Sequence, residues 1–138
     1  MKRNLSSLVF CTAALLLALL GQSFAAGEKT APPGEAPEPA KLVGRWLRAD
    51  GGYVLQLSDP RPDGQLQAAY YNPRPINVSR AAWKQQEGYL GAFVELRAPN
   101  YPGSTYTLAY DPAVDRLVGI YFQAAMRQQY EVEFERIQ

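Results

Sequence analysis

Apolar and polar residues alternate in short runs from Lys41 to the end of the chain, and no stretch holds a helical period. In the last run, Tyr130, Val132 and Phe134 alternate with glutamates. This alternation is typical of a strand that buries one face in an antiparallel sheet. The segment from Tyr53 to Leu57 alternates in the same way. The pattern therefore predicts an all-β fold.

Eight such runs are separated by turn residues. We place the strands at about 42–48, 52–58, 65–72, 76–84, 89–97, 104–110, 116–123 and 128–137. Turn signals recur about every 8–12 residues, as in β-sandwiches and barrels, and proline, aspartate and glycine supply the fixed or positive φ angles of turns. Because short links make consecutive strands antiparallel neighbours, the sequence predicts a single eight-stranded antiparallel up-and-down barrel. Such a barrel encloses side chains or one small ligand.

The start of the chain has the pattern of an export signal. Two positive charges in the first four residues precede an apolar run from Leu5 to Leu20, and Ser23–Ala25 carries small residues where a signal peptidase cleaves. The run is shorter than the ~20 apolar residues of a membrane-spanning helix. We therefore expect a cleavable signal peptide over residues 1–25, cleavage after Ala25 or Ala26, and a periplasmic or secreted protein without stable membrane insertion.

The chain has one cysteine, Cys11, which lies inside the expected signal peptide. Leu8–Cys11 loosely resembles the lipid-attachment motif of lipoproteins, but Phe10 is too large for the position before a modified cysteine. Lipidation is therefore disfavoured. Cleavage would leave no cysteine, so we expect the mature fold to be stabilised by its core without an internal disulfide.

The segment after the signal is rich in proline, alanine and glutamate. Residues 26–40 lack aromatic and β-branched apolar side chains that could form a core. Chains of this composition cannot bury enough apolar surface to offset the entropy of ordering. We predict a disordered tether over 26–40 and a barrel domain over 41–138.

The first and last strands of the predicted barrel carry a family resemblance. Gly44-Arg45-Trp46 on the first strand and Arg136 late on the last resemble the pattern of the calycins, the barrel superfamily that includes lipocalins, fatty-acid-binding proteins and avidins. Arg136 also lies in the inward phase of its strand. The resemblance implies that Arg136 stacks over Trp46 and closes one end of the barrel, so that Gly44, Trp46 and Arg136 are structural residues.

The opposite end is the candidate binding end. If Trp46 and Arg136 close one end, the up-and-down topology places loops 49–52, 73–75, 98–103 and 124–127 together at the other, which we call the open end. Ligand sites favour the mouths of barrels, and loops stiffened by proline lower the ordering cost of binding. The candidate ligand-binding or partner-binding residues are Tyr70, Asn72, Arg74, Asn100, Tyr101, Tyr106, Tyr121 and Arg127. The alternative is that these loops are plain hairpins and that the tyrosines are core residues, since tyrosine serves a core or an interface equally well.

The chemistry of the chain narrows its function. It contains no histidine, which disfavours serine–histidine and cysteine–histidine catalysis and most transition-metal sites. We expect no catalytic residue, metal or cofactor, and so no enzyme. The formal net charge is only +1, and no basic patch indicates a nucleic-acid partner.

Two functions remain at this stage. The first is an exported non-catalytic binding protein that holds a small apolar or mixed ligand in the barrel or at its mouth. The alternative is a protein-binding module of the cell envelope, such as a hydrolase or protease inhibitor that acts through its open-end loops. A filled interior would favour a protein partner, and a void of a few hundred Å3 would favour a small-molecule ligand.

Overall fold

The computed structural model describes residues 36–138. The expected signal peptide and the part of the predicted tether that precedes residue 36 lie outside the described residues. Within them, none of the helical segments is long and apolar enough to cross a membrane.

The described residues form a short 3₁₀ helix followed by antiparallel strands. The helix spans Pro39–Leu42, and the strands are β1 (Gly44–Arg48), β2 (Tyr53–Ser58), β3 (Gln67–Asn72), β4 (Arg74–Ile76), β5 (Val78–Gln86), β6 (Tyr89–Ala98), β7 (Tyr101–Asp111), β8 (Arg116–Gln123) and β9 (Gln128–Ile137). Their order in the sheet is β4-β3-β2-β1-β9-β8-β7-β6-β5, which is an up-and-down meander with the last strand paired to the first.

The sheet curls so that its two edges meet. An isolated bridge joins Gln65 to Ala82, and the backbone N–H of Trp83 donates to the carbonyl oxygen of Gly64 at 2.9 Å. The Trp83 indole N–H donates to the Arg61 carbonyl oxygen at 2.7 Å. The all-β, antiparallel, nearly closed barrel confirms the predicted fold class.

The strand count is nine, where the alternation predicted eight. The chain reverses directly after β3, so that Asn72 pairs with Arg74 and Tyr70 pairs with Ile76. Asn77 then interrupts the strand, and its side-chain amide donates to the Arg97 carbonyl oxygen at 3.2 Å. The predicted strand 76–84 is therefore divided between β4 and β5.

The barrel interior is packed with aromatic and aliphatic side chains over most of its length. The inward face of β6 is buried along its whole length. Near the centre, the Tyr106 ring lies 4.6 Å from the Tyr121 ring and 5.3 Å from the Phe134 ring, measured between centroids. The fully buried large side chains also include Trp46 and Tyr70. The interior is therefore filled by the protein's own side chains over most of its length.

The 3₁₀ helix begins inside the segment that the composition predicts as tether. It starts at Pro39, before the predicted boundary at Lys41. Leu42 at its end is fully buried, and its carbonyl oxygen accepts a hydrogen bond from the Trp46 indole N–H at 2.9 Å. The helix thus packs on the same end of the barrel as Trp46.

Candidate functional site

One end of the barrel is closed by a stacked cation. The Arg136 guanidinium carbon lies 4.1 Å from the centroid of the Trp46 ring. Its two terminal nitrogens donate to the carbonyl oxygens of Val43 and Lys41, each at 2.7 Å. The guanidinium therefore holds the end of the 3₁₀ helix and the residue after it against the last strand.

Asp115 and Gly44 complete this closed end. Arg136 Nε lies 2.8 Å from Asp115 Oδ2, and this hydrogen bond holds the pKa of the Asp115 carboxyl below its ordinary value. Gly44 has a φ of +143°, and a Cβ atom there would lie 2.6 Å from Arg136 Nη1. A glycine is required at this position because any side chain would strain the backbone and displace the guanidinium.

A cleft of about 370 Å3 lies at the open end. We call it the mouth cleft, and its wall consists of aromatic, amide and guanidinium side chains: Arg48, Tyr53, Tyr70, Asn72, Asn100, Tyr101, Tyr121, Gln123 and Tyr130. Five residues expected from the sequence to bind a ligand or partner are thus brought together here, namely Tyr70, Asn72, Asn100, Tyr101 and Tyr121.

Tyr106 lies beneath the mouth cleft and does not line it. The residue is fully buried, and its hydroxyl lies 2.9 Å from the Tyr70 hydroxyl. Burial raises the pKa of Tyr106 to about 12. Burial also raises the pKa of Tyr70 well above its ordinary value. Both phenol groups lie at the floor of the mouth cleft and are uncharged at physiological pH.

The structure places the other two candidate residues outside the cleft wall. Arg74 is exposed on the edge strand β4. Arg127 is exposed in the turn before β9, where its φ of 52° is left-handed. Neither side chain is among those that line the mouth cleft. Their loops were assigned to the open end, but position in a loop does not determine the direction of a side chain.

Arg48 is the main residue of the cleft that the sequence reasoning missed. It follows Trp46 by two positions on β1, so its side chain shares the inward phase of the indole. Its Nε donates to Asp50 Oδ1 at 2.6 Å and its Nη2 to Asp50 Oδ2 at 3.1 Å, while Nη1 donates to the Tyr106 hydroxyl at 3.0 Å. The sequence does contain a signal for Arg48: it is an arginine at the end of a strand, in the same alternation phase as the inward-facing Trp46.

Two tyrosine rings enclose the Arg48 guanidinium. Its central carbon lies 4.5 Å from the Tyr53 centroid and 5.4 Å from the Tyr121 centroid. Burial alone would lower the pKa of Arg48, but the hydrogen bonds to Asp50 and Tyr106 outweigh it and raise that pKa above its ordinary value. The cation at the base of the cleft is therefore permanent.

Side-chain hydrogen bonds hold the rim of the mouth cleft. The Asn72 amide donates to the Tyr101 hydroxyl at 2.6 Å, which links β3 to β7. The Tyr130 hydroxyl donates to Gln128 Oε1 at 2.5 Å, which holds the ring against its own strand β9. Such contacts preorganise the wall and lower the ordering cost of binding.

Comparison with protein-family models, curated proteins and solved structures found no match for this chain. In residues 36–138, no three histidine, cysteine or acidic side chains come together as metal ligands would.

Proposed function

We propose that the protein is a non-catalytic binding protein that holds a small ligand of mixed polarity in the mouth cleft. The observation that supports the proposal is a cleft of about 370 Å3 at the end opposite the Trp46–Arg136 stack. Small-molecule sites occupy about 300–1,000 Å3 and favour the mouths of barrels. The volume suits a ligand of one or two rings.

The packing of the barrel favours the mouth over the interior as the binding position. Tyr106 and Phe134 fill the space below the cleft and are fully buried. A long apolar ligand would have to displace these rings, whereas a short one fits above them. Tyrosine faces offer apolar contact area and their hydroxyls offer hydrogen bonds, which together suit a ligand with both kinds of group.

The proposal includes export and a calycin-like barrel. The signal-peptide pattern over residues 1–25 supports export. The geometry of Gly44, Trp46 and Arg136 at the closed end supports the calycin resemblance that these residues carry in the sequence. A carrier or sensor of the cell envelope would combine both features.

A second candidate is an envelope protein-binding module, such as a hydrolase or protease inhibitor. The filled lower barrel favours it, because a packed interior leaves no room for a ligand deep in the barrel. In this case one side chain of the partner would enter the mouth cleft. The two candidates predict different binding partners: a small molecule for the first and a protein for the second.

A cleft-filling substitution tests the proposal. Gln123 lines the mouth cleft, and Gln129 lies exposed on the outward face of the neighbouring strand. Gln123→Trp should fill part of the cleft with an indole, and Gln129→Trp adds the same ring outside it as the matched control. Native mass spectrometry should show a non-covalent small-molecule adduct on the protein purified from its natural compartment and on Gln129→Trp. On Gln123→Trp, the occupancy of this adduct should be at least tenfold lower than on the other two proteins.

Other outcomes of the same measurement separate the candidates. A co-purifying protein that Gln123→Trp releases would favour the inhibitor-like module. An adduct of equal occupancy on both variants would place the ligand elsewhere and contradict the proposal.

A further inference from the structure

We propose that the mouth cleft selects ligands that carry an oxyanion, such as a carboxylate, on a planar ring, with the oxyanion bound by Arg48. This inference rests on the proposed function and names the class of ligand that the same site would take. Four features of the cleft carry it: the unused donors of Arg48, the charges around it, the tyrosine faces and the amide groups at the rim.

Arg48 has donor capacity left for a ligand. A guanidinium has five N–H groups. Within residues 36–138, hydrogen bonds to Asp50 and Tyr106 use three of them. The two that remain belong to the terminal nitrogens of a side chain that lines the cleft. Two N–H groups on neighbouring terminal nitrogens match the two oxygens of a carboxylate.

The distribution of charge also favours an anion. Arg48 is the only charged side chain among those that line the cleft in the described residues. Its partner Asp50 lies on the turn outside the wall, with its side chain 60% exposed while that of Arg48 is 11% exposed. Water therefore screens the aspartate more than the arginine, so the space above the guanidinium retains a positive potential.

The tyrosine faces suit a planar ring beside the oxyanion. The Tyr53 and Tyr70 rings lie nearly parallel, at 12° and 6.2 Å between centroids. The Tyr121 and Tyr130 rings lie on the other side of the cleft wall, at 25° and 6.4 Å. Tyr70 and Tyr121 are buried by their ring neighbours, whereas Tyr130 is exposed. A flat apolar body can stack on the Tyr130 side of the cleft while its charged end reaches Arg48.

The amides at the rim add donors for the same group or for a second polar substituent. Asn72 uses one amide hydrogen on Tyr101, and its second hydrogen has no hydrogen-bond partner in the part of the chain that the structure describes. The Tyr101 hydroxyl accepts that bond and can donate its own hydrogen. A carboxylate only accepts hydrogen bonds, so an excess of donors favours it over a neutral amide or sugar.

Benzoate and benzamide test the inference because they share size and shape and differ in charge. The probes are titrated into the uniformly 15N-labelled folded chain, and the side-chain amide signals of Asn72, Asn100 and Gln123 report binding in the mouth cleft. Methyl α-glucoside serves as a neutral polyol. We expect benzoate to bind at least tenfold more tightly than benzamide or the glucoside, with the largest shifts at these three amides.

Substitutions at Arg48 tie the selectivity to this residue. Arg48→Lys keeps the charge and loses the planar pair of donors, and it should reduce the preference for benzoate at least threefold. Arg48→Met should abolish the preference. Arg74→Ala removes a cation near the open end that does not line the cleft, so the preference should persist. The wild-type comparison of the two probes needs no variant and holds even if Arg48→Met fails to fold.

Each outcome decides a separate point. Equal affinity for benzoate and benzamide at the three amides would overturn the inference and leave the proposed mouth site standing. A benzoate preference that Arg48→Lys leaves unchanged, or that Arg74→Ala removes, would also overturn it. If none of the three probes shifts these amides, both the inference and the mouth site are contradicted.

Discussion

Replacing Trp46 with alanine should lower the free energy of unfolding by about 3–5 kcal/mol, as for other buried aromatic truncations. The indole is fully buried, and its loss removes the platform under the Arg136 guanidinium. It also leaves the Leu42 carbonyl oxygen without the indole N–H. Urea unfolding at neutral pH measures the effect.

The neighbouring residue on β1 provides the control for Trp46→Ala. Arg45 is exposed on the outward face of the same strand, so Arg45→Ala should change the free energy of unfolding by no more than ~0.5 kcal/mol. A loss below about 1 kcal/mol for Trp46→Ala would show that the closed end does not stabilise the barrel.

Alkaline pH should destabilise the protein steeply, because the buried phenols of the cleft floor resist ionisation. Burial raises the pKa of Tyr106 to about 12, whereas the ordinary tyrosine pKa is about 10. Above pH 10 the unfolded chain releases a proton that the native protein keeps. The stabilising contribution is therefore complete below about pH 10 and is lost as the pH rises toward about 12.

The slope of this loss is large enough to measure. Tyr106 alone should lower the free energy of unfolding by about 1.4 kcal/mol per pH unit between pH 10 and 12, and Tyr70 should add to it because its pKa is also raised by burial. In urea unfolding at pH 8, 10 and 11, Tyr106→Phe should be less stable than wild type at pH 8 and should lose less stability as the pH rises. Parallel pH profiles for the two proteins would contradict the account.

Local alternation was sufficient to predict most of the barrel. Val132 and Phe134 face the core while the glutamates that alternate with them face water, because a strand with one buried face repeats every two residues. The break at Asn77 could not be predicted in this way. It depends on hydrogen bonds between Asn77 and Arg97, which lie on different strands and are distant in sequence.

The N-terminal boundary of the barrel domain also depends on a contact that composition does not show. Pro39 belongs to a proline-rich segment that resembles a tether in composition. The helix that it begins delivers Leu42 into the core beneath Trp46. One buried leucine therefore extends the packed barrel domain into the segment that composition predicts as tether.

The mouth cleft was predicted in position but only partly in its residues. Topology placed Asn72, Asn100 and Tyr101 at the open end, and they line the cleft. Arg48 was missed because a charged residue at a strand end resembles a solvated one. Its ring partners are Tyr53, across the β1–β2 hairpin, and Tyr121, which is distant in sequence. Side-chain direction, and not loop membership, separates the cleft residues from the exposed ones.

Hydrogen exchange with and without the co-purified ligand tests the central claim most directly, because it reports which end of the barrel is used. We predict that the ligand slows exchange of backbone amides in the open-end loops 49–52, 73–75, 98–103 and 124–127. Slowed exchange confined to the closed-end turns 59–64, 85–88 and 111–115 would contradict the claim and place the binding end beside the Trp46–Arg136 stack.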